Sequence, residues 1–239
     1  RKKIADFESN YSLIRYLCRM KRLVFIALIL VIAIPIAYFM VNQANTPNLP
    51  FINPTDVQSE MVDSSVQHIG RNHKIGAFNL LDEQNKAITD NVIEGKVCVA
   101  EYFFTTCGSI CPIMNKQMQR VQAAFKGNAT FEILSFTVDP ENDGPEQMLT
   151  YAKTHGYQPG QWHFITGDKK DLYSLARTSF FVLKPAEAEN LGDAGSDFIH
   201  TNNFVLIDQD RHIRGYYDGT NAAEVDQLIL DIEKLLEPK

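Results

Sequence analysis

The sequence predicts an α/β domain, with a central mixed sheet flanked by helices, that is preceded by one transmembrane helix. From residue 68 onwards, runs rich in β-branched and aromatic residues alternate with amphipathic helical patterns. This alternation is typical of a largely parallel sheet with right-handed crossovers. Near the N-terminus, residues 23–41 carry no charge, and a helix of that length is enough to cross a hydrocarbon core of about 30 Å.

The uncharged run, which begins at Leu23 and ends at Val41, predicts an uncleaved membrane anchor. It is longer than the apolar core of a signal peptide, and no small-x-small cleavage pattern follows it. Residues 1–22 hold seven Lys and Arg side chains, whereas the residues just after the run are uncharged. The positive-inside rule therefore places residues 1–22 in the cytoplasm and everything after residue 42 outside. Asp6 and Glu8 count against a mitochondrial presequence. We expect a single-pass protein of the bacterial inner membrane with a periplasmic domain.

Composition divides the remainder into a linker, residues 42–67, and a domain, residues 68–239. The linker is rich in Pro, Asn, Asp and Ser, which is typical of extended segments. Residues 23–239 hold 16 basic and 27 acidic side chains. Because phosphate contacts supply most of the affinity for nucleic acid, an acidic domain of this kind is not expected to bind it.

The elements of the domain follow from local patterns. Strands are predicted over residues 73–81, 86–89, 96–105, 130–140 and 162–166, and over both arms of a hairpin at 203–219. Helices are predicted over residues 111–127, 143–156, 168–180 and 222–237. The first two strands form an N-terminal hairpin extension around residues 82–85. Asp143 and Asp168 are the expected N-caps of their helices, and Pro145 belongs to the first turn of the second.

A βαβ half followed by a ββα half, with two cysteines where a central strand meets its helix, resembles thioredoxin. Those cysteines are Cys107 and Cys111; Cys18 lies on the cytoplasmic side of the anchor, and Cys98 is expected to be a small buried residue. A cysteine at a helix start is close to unpaired backbone N–H groups and the positive end of the helix dipole, which favour the thiolate. The spacing fits a structural disulfide, a redox pair or a soft-metal site, and does not choose among them.

A third ligand would favour the metal site. The histidines are His68, His73, His155, His163, His200 and His212. His200 is distinctive because it follows a Gly-, Asp- and Ser-containing stretch and comes just before the strand that begins at residue 203. In thioredoxin-like folds the segment before that strand faces the active-site loop. Two cysteines and one imidazole form a compact set for Cu(I) that also accepts Cu(II).

Four motifs in order resemble the Sco/SenC family, membrane-anchored thioredoxin-fold copper chaperones of cytochrome c oxidase assembly. They are "FFTTCGSICP", "SFTVDPENDGP", "WHFITG" and "FIHTNNFVLID", and the similarity extends from about Leu49 to the C-terminus. The resemblance implies copper bound by Cys107, Cys111 and His200. It also implies delivery of copper to the copper-bearing subunit of the oxidase. Many members have Pro and Asp after the first cysteine and Asp before the histidine, where this chain has Gly108, Ser109 and Ile199.

Two functions remain open on this basis. The first is a metallochaperone that passes copper to the dinuclear site of the oxidase by ligand exchange. The second is a thiol-disulfide oxidoreductase that uses Cys107 for attack and Cys111 for resolution, with a periplasmic thiol reductant. The copper-ligand cysteines of the oxidase are a candidate substrate. His200 discriminates between them, because dithiol chemistry needs no distant imidazole. Met114 and Met118 are expected in the core, and His163 is expected to be structural.

Overall fold

The computed structural model describes residues 49–185, 198–200 and 202–237, together with Ile29 and residues 31–36. For residues 184–185 and 198–200 it describes the backbone alone. Leu49–Lys239 forms one compact unit. Ile29 and residues 31–36 are helical, with exposed side chains. Among the described residues no helix has the length and apolar character that a membrane span requires, and most of the predicted span lies outside them.

Within the described residues the central sheet has seven strands in the order β2-β1-β5-β4-β3-β8-β9. The strands are β1 (Asn79–Asp82), β2 (Ala87–Thr89), β3 (Val97–Phe103), β4 (Phe131–Thr137), β5 (Trp162–Thr166), β6 (Leu183–Pro185), β7 (Phe198–His200), β8 (Asn203–Ile207) and β9 (Ile213–Asp218). The helices of this unit are α1 (Cys111–Ala124), α2 (Pro145–Thr154), α3 (Lys169–Leu175) and α4 (Ala222–Leu236). Strands β6 and β7 pair in a separate antiparallel sheet.

The pairing of the strands confirms the predicted mixed sheet. β3, β4 and β5 are parallel, whereas β8 runs antiparallel to β3 and β1 runs antiparallel to β5. The predicted N-terminal hairpin is present as β1 and β2 at one edge. Its first strand is shorter than predicted, because residues 73–78 approach the sheet without pairing as a strand. The βαβ half and the ββα half of a thioredoxin-like fold are therefore both present.

The core lies around β3 and β4, in which every residue is buried. Cys98, Met114 and Met118 are buried there, as predicted. The Trp162 indole N–H donates to the Ser135 hydroxyl over 2.8 Å, and that hydroxyl donates to the Glu101 carboxylate over 2.6 Å. Burial raises the pKa of Glu101 to about 7, even though the bond from Ser135 acts in the opposite direction.

The structure confirms one of the two predicted helix N-caps, Asp168, and contradicts the other, Asp143. Asp168 caps α3, where its carboxylate accepts the backbone N–H of Lys170 and Asp171. The prediction for Asp143 was wrong, because Gly144 occupies the N-cap position of α2. The Asp143 side chain turns away from the helix and accepts hydrogen bonds from Thr105 and Thr137. Distant donors thus outcompete the local helix for this carboxylate.

Residues 49–67, which composition assigns to a linker, pack on the domain. The Arg214 guanidinium donates to the carbonyls of Leu49 and Pro50 and lies over the ring of Phe51, 4.1 Å from its centroid. Val62 is fully buried. The segment forms short 3₁₀ turns at Pro54–Asp56 and Ser59–Met61. Its order comes from contacts with residues far along the chain rather than from its own composition.

The raised pKa of Glu101 predicts a specific pH dependence of stability. The unfolded carboxyl loses its proton near 4.5 and the folded one near 7, so between these values the unfolded state binds fewer protons. As the pH rises from 4.5 to 7, the free energy of unfolding should therefore fall by about 3 kcal/mol, and above pH 7 it should level off. Glu101→Gln should lack that decline, because its side chain does not ionise.

This is measured by urea unfolding of the full chain in mild detergent, followed by circular dichroism at pH 4.5 and pH 8. All other titrating groups are common to both proteins, so the difference between them isolates Glu101. An equal fall in both proteins would contradict the assignment.

Candidate metal centre

The cysteine loop, residues 104–110, begins where the parallel pair β3–β4 ends. Phe103 lies opposite Thr137 in the register, and the N–H of Val138 donates to the Phe103 carbonyl over 2.9 Å. The loop turns at once, because the N–H of Cys107 donates to the carbonyl of Phe104. Helix α1 then begins at Cys111, with Pro112 in its first turn. Pro112 fits there because the first N–H groups of a helix have no partner within the helix.

The structure brings Cys107 and Cys111 together as free thiols. The backbone N–H of Cys111 points at the Cys107 sulfur, with 3.5 Å between nitrogen and sulfur. The hydroxyl of Ser109 lies 3.7 Å from the same sulfur. Cys107 is 7% exposed and Cys111 is 1% exposed. The first cysteine therefore borders the surface, and the second lies beneath it.

The two thiols differ in their affinity for a proton. Burial acts to raise the pKa of Cys107, but hydrogen bonds from the thiol and N–H of Cys111 and from the N–H and hydroxyl of Ser109 outweigh it, so the pKa is lowered. Burial raises the pKa of Cys111 well above its usual range, and its hydrogen bond to Cys107 adds to the effect. The pair thus consists of one thiol that loses its proton more readily than an ordinary cysteine and one that holds its proton more tightly.

A polar layer that the sequence did not reveal lies near the cysteines. Asn115, one helical turn after Cys111, is buried, and its amide donates to the Tyr151 hydroxyl. The negative charge of Glu101 contributes to the raised pKa of Cys111. Glu101 stands as a charged residue in an otherwise apolar strand, which is an unusual local feature that could have pointed to it. Asn115 sits within an amphipathic helix, where a polar residue gives no such signal.

Asp143 ties the cysteine loop to the end of β4. Its carboxylate accepts the backbone N–H of Thr105 over 3.1 Å and also accepts the Thr105 hydroxyl. The hydroxyl of Thr137, the last residue of β4, donates to the same carboxylate over 2.5 Å. Asp143 lies within the motif "SFTVDPENDGP", so the sequence pointed to this residue. The role that it predicted was that of a helix N-cap rather than a contact with the cysteine loop.

His200 is placed by its backbone alone. It ends β7 and lies opposite Leu183 of β6. Its side chain lies outside the described part of the chain, so its role as a ligand stays a prediction. Other histidines contact protein groups: His73 bonds to the carbonyl of Ser179, His155 to that of Tyr151, His163 to Glu132 and His212 to Asn72. The contact with Glu132 fits the structural role expected of His163.

Comparison with known proteins gives a consistent result. The SCO1/SenC family profile matches residues 66–237. The chain is 31% identical over 164 residues to the SCO1 protein homolog of Bacillus subtilis (strain 168), covering 68% of this chain and 82% of that protein.

Solved structures share the fold. BsSco, described as a member of the Sco family of cytochrome c oxidase assembly proteins with a disulfide switch, is 28% identical, with a TM-score of 0.59 over 70% of this chain and 96% of that one. Bradyrhizobium japonicum ScoI, solved with copper bound, is 23% identical, with a TM-score of 0.56 over 69% of this chain and all of that one. The second likeness concerns the fold alone. Given the extent of the family match and the identity to the Bacillus subtilis relative, the chain belongs to the SCO1/SenC family.

Proposed function

We propose that the protein binds copper through Cys107, Cys111 and His200 and delivers it to the dinuclear copper site of cytochrome c oxidase during assembly. The observation that carries the proposal is the pair of free thiols at the start of α1, with a backbone N–H directed at the Cys107 sulfur. Soft thiolates favour Cu(I), and an imidazole in addition accommodates Cu(II). A relative from Stutzerimonas stutzeri, 25% identical over 155 residues that cover 64% of this chain and 73% of that protein, is named "Putative copper-binding protein", which supports copper as the cargo.

The donor set fits a metal that is carried and released. Both sulfurs come from one loop and the first turn of one helix, so their separation is set locally. Cys107 borders the surface, and an acceptor thiolate can therefore reach the metal from that side. Because the acceptor supplies the same kinds of ligand, each bond to this protein is exchanged for a similar bond to the partner. Transfer then proceeds without a stage at which the metal is free in solvent.

The cellular setting of the proposal is the extracytoplasmic face of a bacterial inner membrane. Residues 23–41 would anchor the chain, and the basic residues before them would stay in the cytoplasm. The partner would be the copper-bearing subunit of the oxidase. A thiol reductant on the same side would keep Cys107 and Cys111 reduced, because copper binding requires both thiolates. BsSco, a family member, is described as an oxidase assembly protein, which supports this partner.

A second function, thiol-disulfide exchange, is favoured by the unequal pKa values of the two thiols. The Cys107 thiolate attacks one sulfur of a substrate disulfide, a mixed disulfide forms, and the released substrate thiolate takes a proton. Cys111 then loses its proton and attacks the Cys107 sulfur. The second substrate thiolate leaves, and the Cys107–Cys111 disulfide remains. The substrate gains two electrons and the protein pair loses two, so an external reductant must restore the pair.

Removal of the imidazole tests the copper proposal. Copper loaded on the full chain in mild detergent, in a Cys18→Ser background, should reach about one ion per chain. His200→Ala should weaken copper retention at least about tenfold, the scale on which even the outer partners of metal ligands act. Cys107→Ser and Cys111→Ser should lose copper almost completely. The measurement is copper per chain after challenge with a competing chelator.

His68→Ala is the matched control, because His68 is exposed and lies outside the cysteine loop and β7. His200→Ala should still reduce a model disulfide at the rate of the unsubstituted chain. Equal copper retention in the two histidine variants would remove the third ligand from the proposal and leave dithiol chemistry.

The lowered pKa of Cys107 predicts an unusual pH profile of alkylation. In the reduced, copper-free Cys18→Ser chain, the midpoint for reaction of Cys107 with iodoacetamide should lie below the ordinary thiol value of 9.0, because the thiolate is the reacting form. Cys111→Ala should raise that midpoint, since the hydrogen bond from the Cys111 thiol is lost.

Alkylation is followed at each cysteine by mass spectrometry of peptides. Cys111 in a Cys107→Ala chain serves as the comparison, and it should react slowly up to pH 9 because burial raises its pKa. Equal midpoints for the two cysteines would exclude Cys107 as the attacking thiolate.

A further inference from the structure

Asp143 is a fully buried residue whose carboxylate connects the cysteine loop to the end of β4. Its side chain is 0% exposed, and it accepts the N–H and hydroxyl of Thr105 together with the hydroxyl of Thr137. Thr105 lies two residues before Cys107, in the cysteine loop. Thr137 ends β4, beside the strand from which that loop leaves. Burial raises the pKa of this carboxyl, but the link does not depend on its charge, because three donors converge on its two oxygens and leaving a buried donor without a partner is costly.

The loop that carries Asp143 is itself well held. The N–H of Asp143 donates to the Asp139 carbonyl over 2.9 Å, and the N–H of Asp139 donates to the Thr137 hydroxyl over 2.9 Å. The Asn142 amide donates to the Asp139 carboxylate. Helix α2 begins two residues after Asp143, with Pro145 in its first turn. These hydrogen bonds hold the Asp143 carboxylate in place, and the carboxylate in turn restrains the cysteine loop.

We propose that Asp143 is a positioning residue of the cysteine site. By holding Thr105, its carboxylate fixes the path of the chain into Cys107, so that the sulfur stays against the N–H of Cys111 at the start of α1. A binding site needs its ligands held to about 0.5 Å by surrounding contacts. In its copper part the proposal rests on the proposed function; the effect on the geometry of the loop does not.

An ordinary structural hydrogen bond is the alternative, and Asp231 provides the matched control. Asp231 is also buried, at 4% exposure. It accepts the Tyr217 hydroxyl, the Gln227 amide and the Lys234 ammonium, none of which belongs to the cysteine loop. Asp231→Asn therefore removes an acceptor from a comparably buried carboxylate without touching the links to Thr105. It measures the loss of stability alone.

The first experiment is free of copper and follows amide hydrogen exchange by NMR in the full, reduced chain in detergent. Asp143→Asn and the isosteric Thr105→Val should each speed exchange at Cys107 and Cys111 about tenfold, relative to the amides of β3, because a buried hydrogen bond that holds the loop is lost. Thr105→Ser keeps the hydroxyl and should restore protection. Asp231→Asn should leave the ratio of loop to strand exchange unchanged.

The second experiment loads the same variants with copper in the Cys18→Ser background. Asp143→Asn and Thr105→Val should release copper to a competing chelator about tenfold faster and shift the Cu(II)–thiolate absorption band, because the sulfur positions are altered. Thr105→Ser should behave as the unsubstituted chain does.

The outcomes separate the two proposals. If the unsubstituted chain binds no copper, the proposed function fails, and the exchange experiment still decides the role of Asp143. If Asp143→Asn alters loop exchange no more than Asp231→Asn does, the positioning role is overturned. If Asp143→Asn does not fold, Thr105→Val decides by the same criteria: faster loop exchange upholds the role, and unchanged exchange overturns it.

Discussion

The parallel pairing of β3 with β4 is the constraint on which the site depends. Its register sets Phe103 against Thr137, so both strands end at the same edge and their following loops start side by side. Every residue of the two strands is buried, and a shift of one residue would turn each side chain to the opposite face. The position of the cysteine loop is therefore fixed by the most strongly determined part of the core.

The chemistry of the site follows from how that loop enters α1. Helix starts leave N–H groups without partners inside the helix, and here one of them points at the Cys107 sulfur. A negative sulfur is stabilised by this arrangement whether its eventual partner is a copper ion or a disulfide. The cysteine pair alone is compatible with both proposed functions, and the ligand role proposed for His200 is what would distinguish a metal carrier from a dithiol enzyme.

Local patterns predicted the elements that local physics determines. The long apolar strands β3 and β4, the helices after them and the β8–β9 hairpin are each specified by periodicity and turn residues within one segment. The spacing of Cys107 and Cys111 likewise predicted that their sulfurs meet, because it depends on one helical turn. Strands β6 and β7 were missed, since three residues each are too few to produce a periodic signal.

Long-range contacts account for the rest of the differences. Asp143 has the composition and position of a helix cap, but its donors come from residues 6 and 38 positions away. The packing of residues 49–51 depends on Arg214, more than 160 positions further along. Glu101 lies in a strand in which every residue is buried. Its pKa depends on that burial and on the hydrogen bond from Ser135, and neither is known before the chain is folded. Such residues are defined by tertiary neighbours, which a single sequence does not provide.

The chain from Trp162 through Ser135 to Glu101 has a consequence for spectroscopy. Trp162 is the sole tryptophan of the sequence, and it is fully buried, so the tryptophan fluorescence of the protein originates from one well-defined indole. Since that indole is joined through one hydroxyl to the carboxyl whose charge influences Cys111, its emission is an internal reporter of the layer beneath the thiols. A change in the charge of Glu101 should therefore alter that emission, which needs no attached dye.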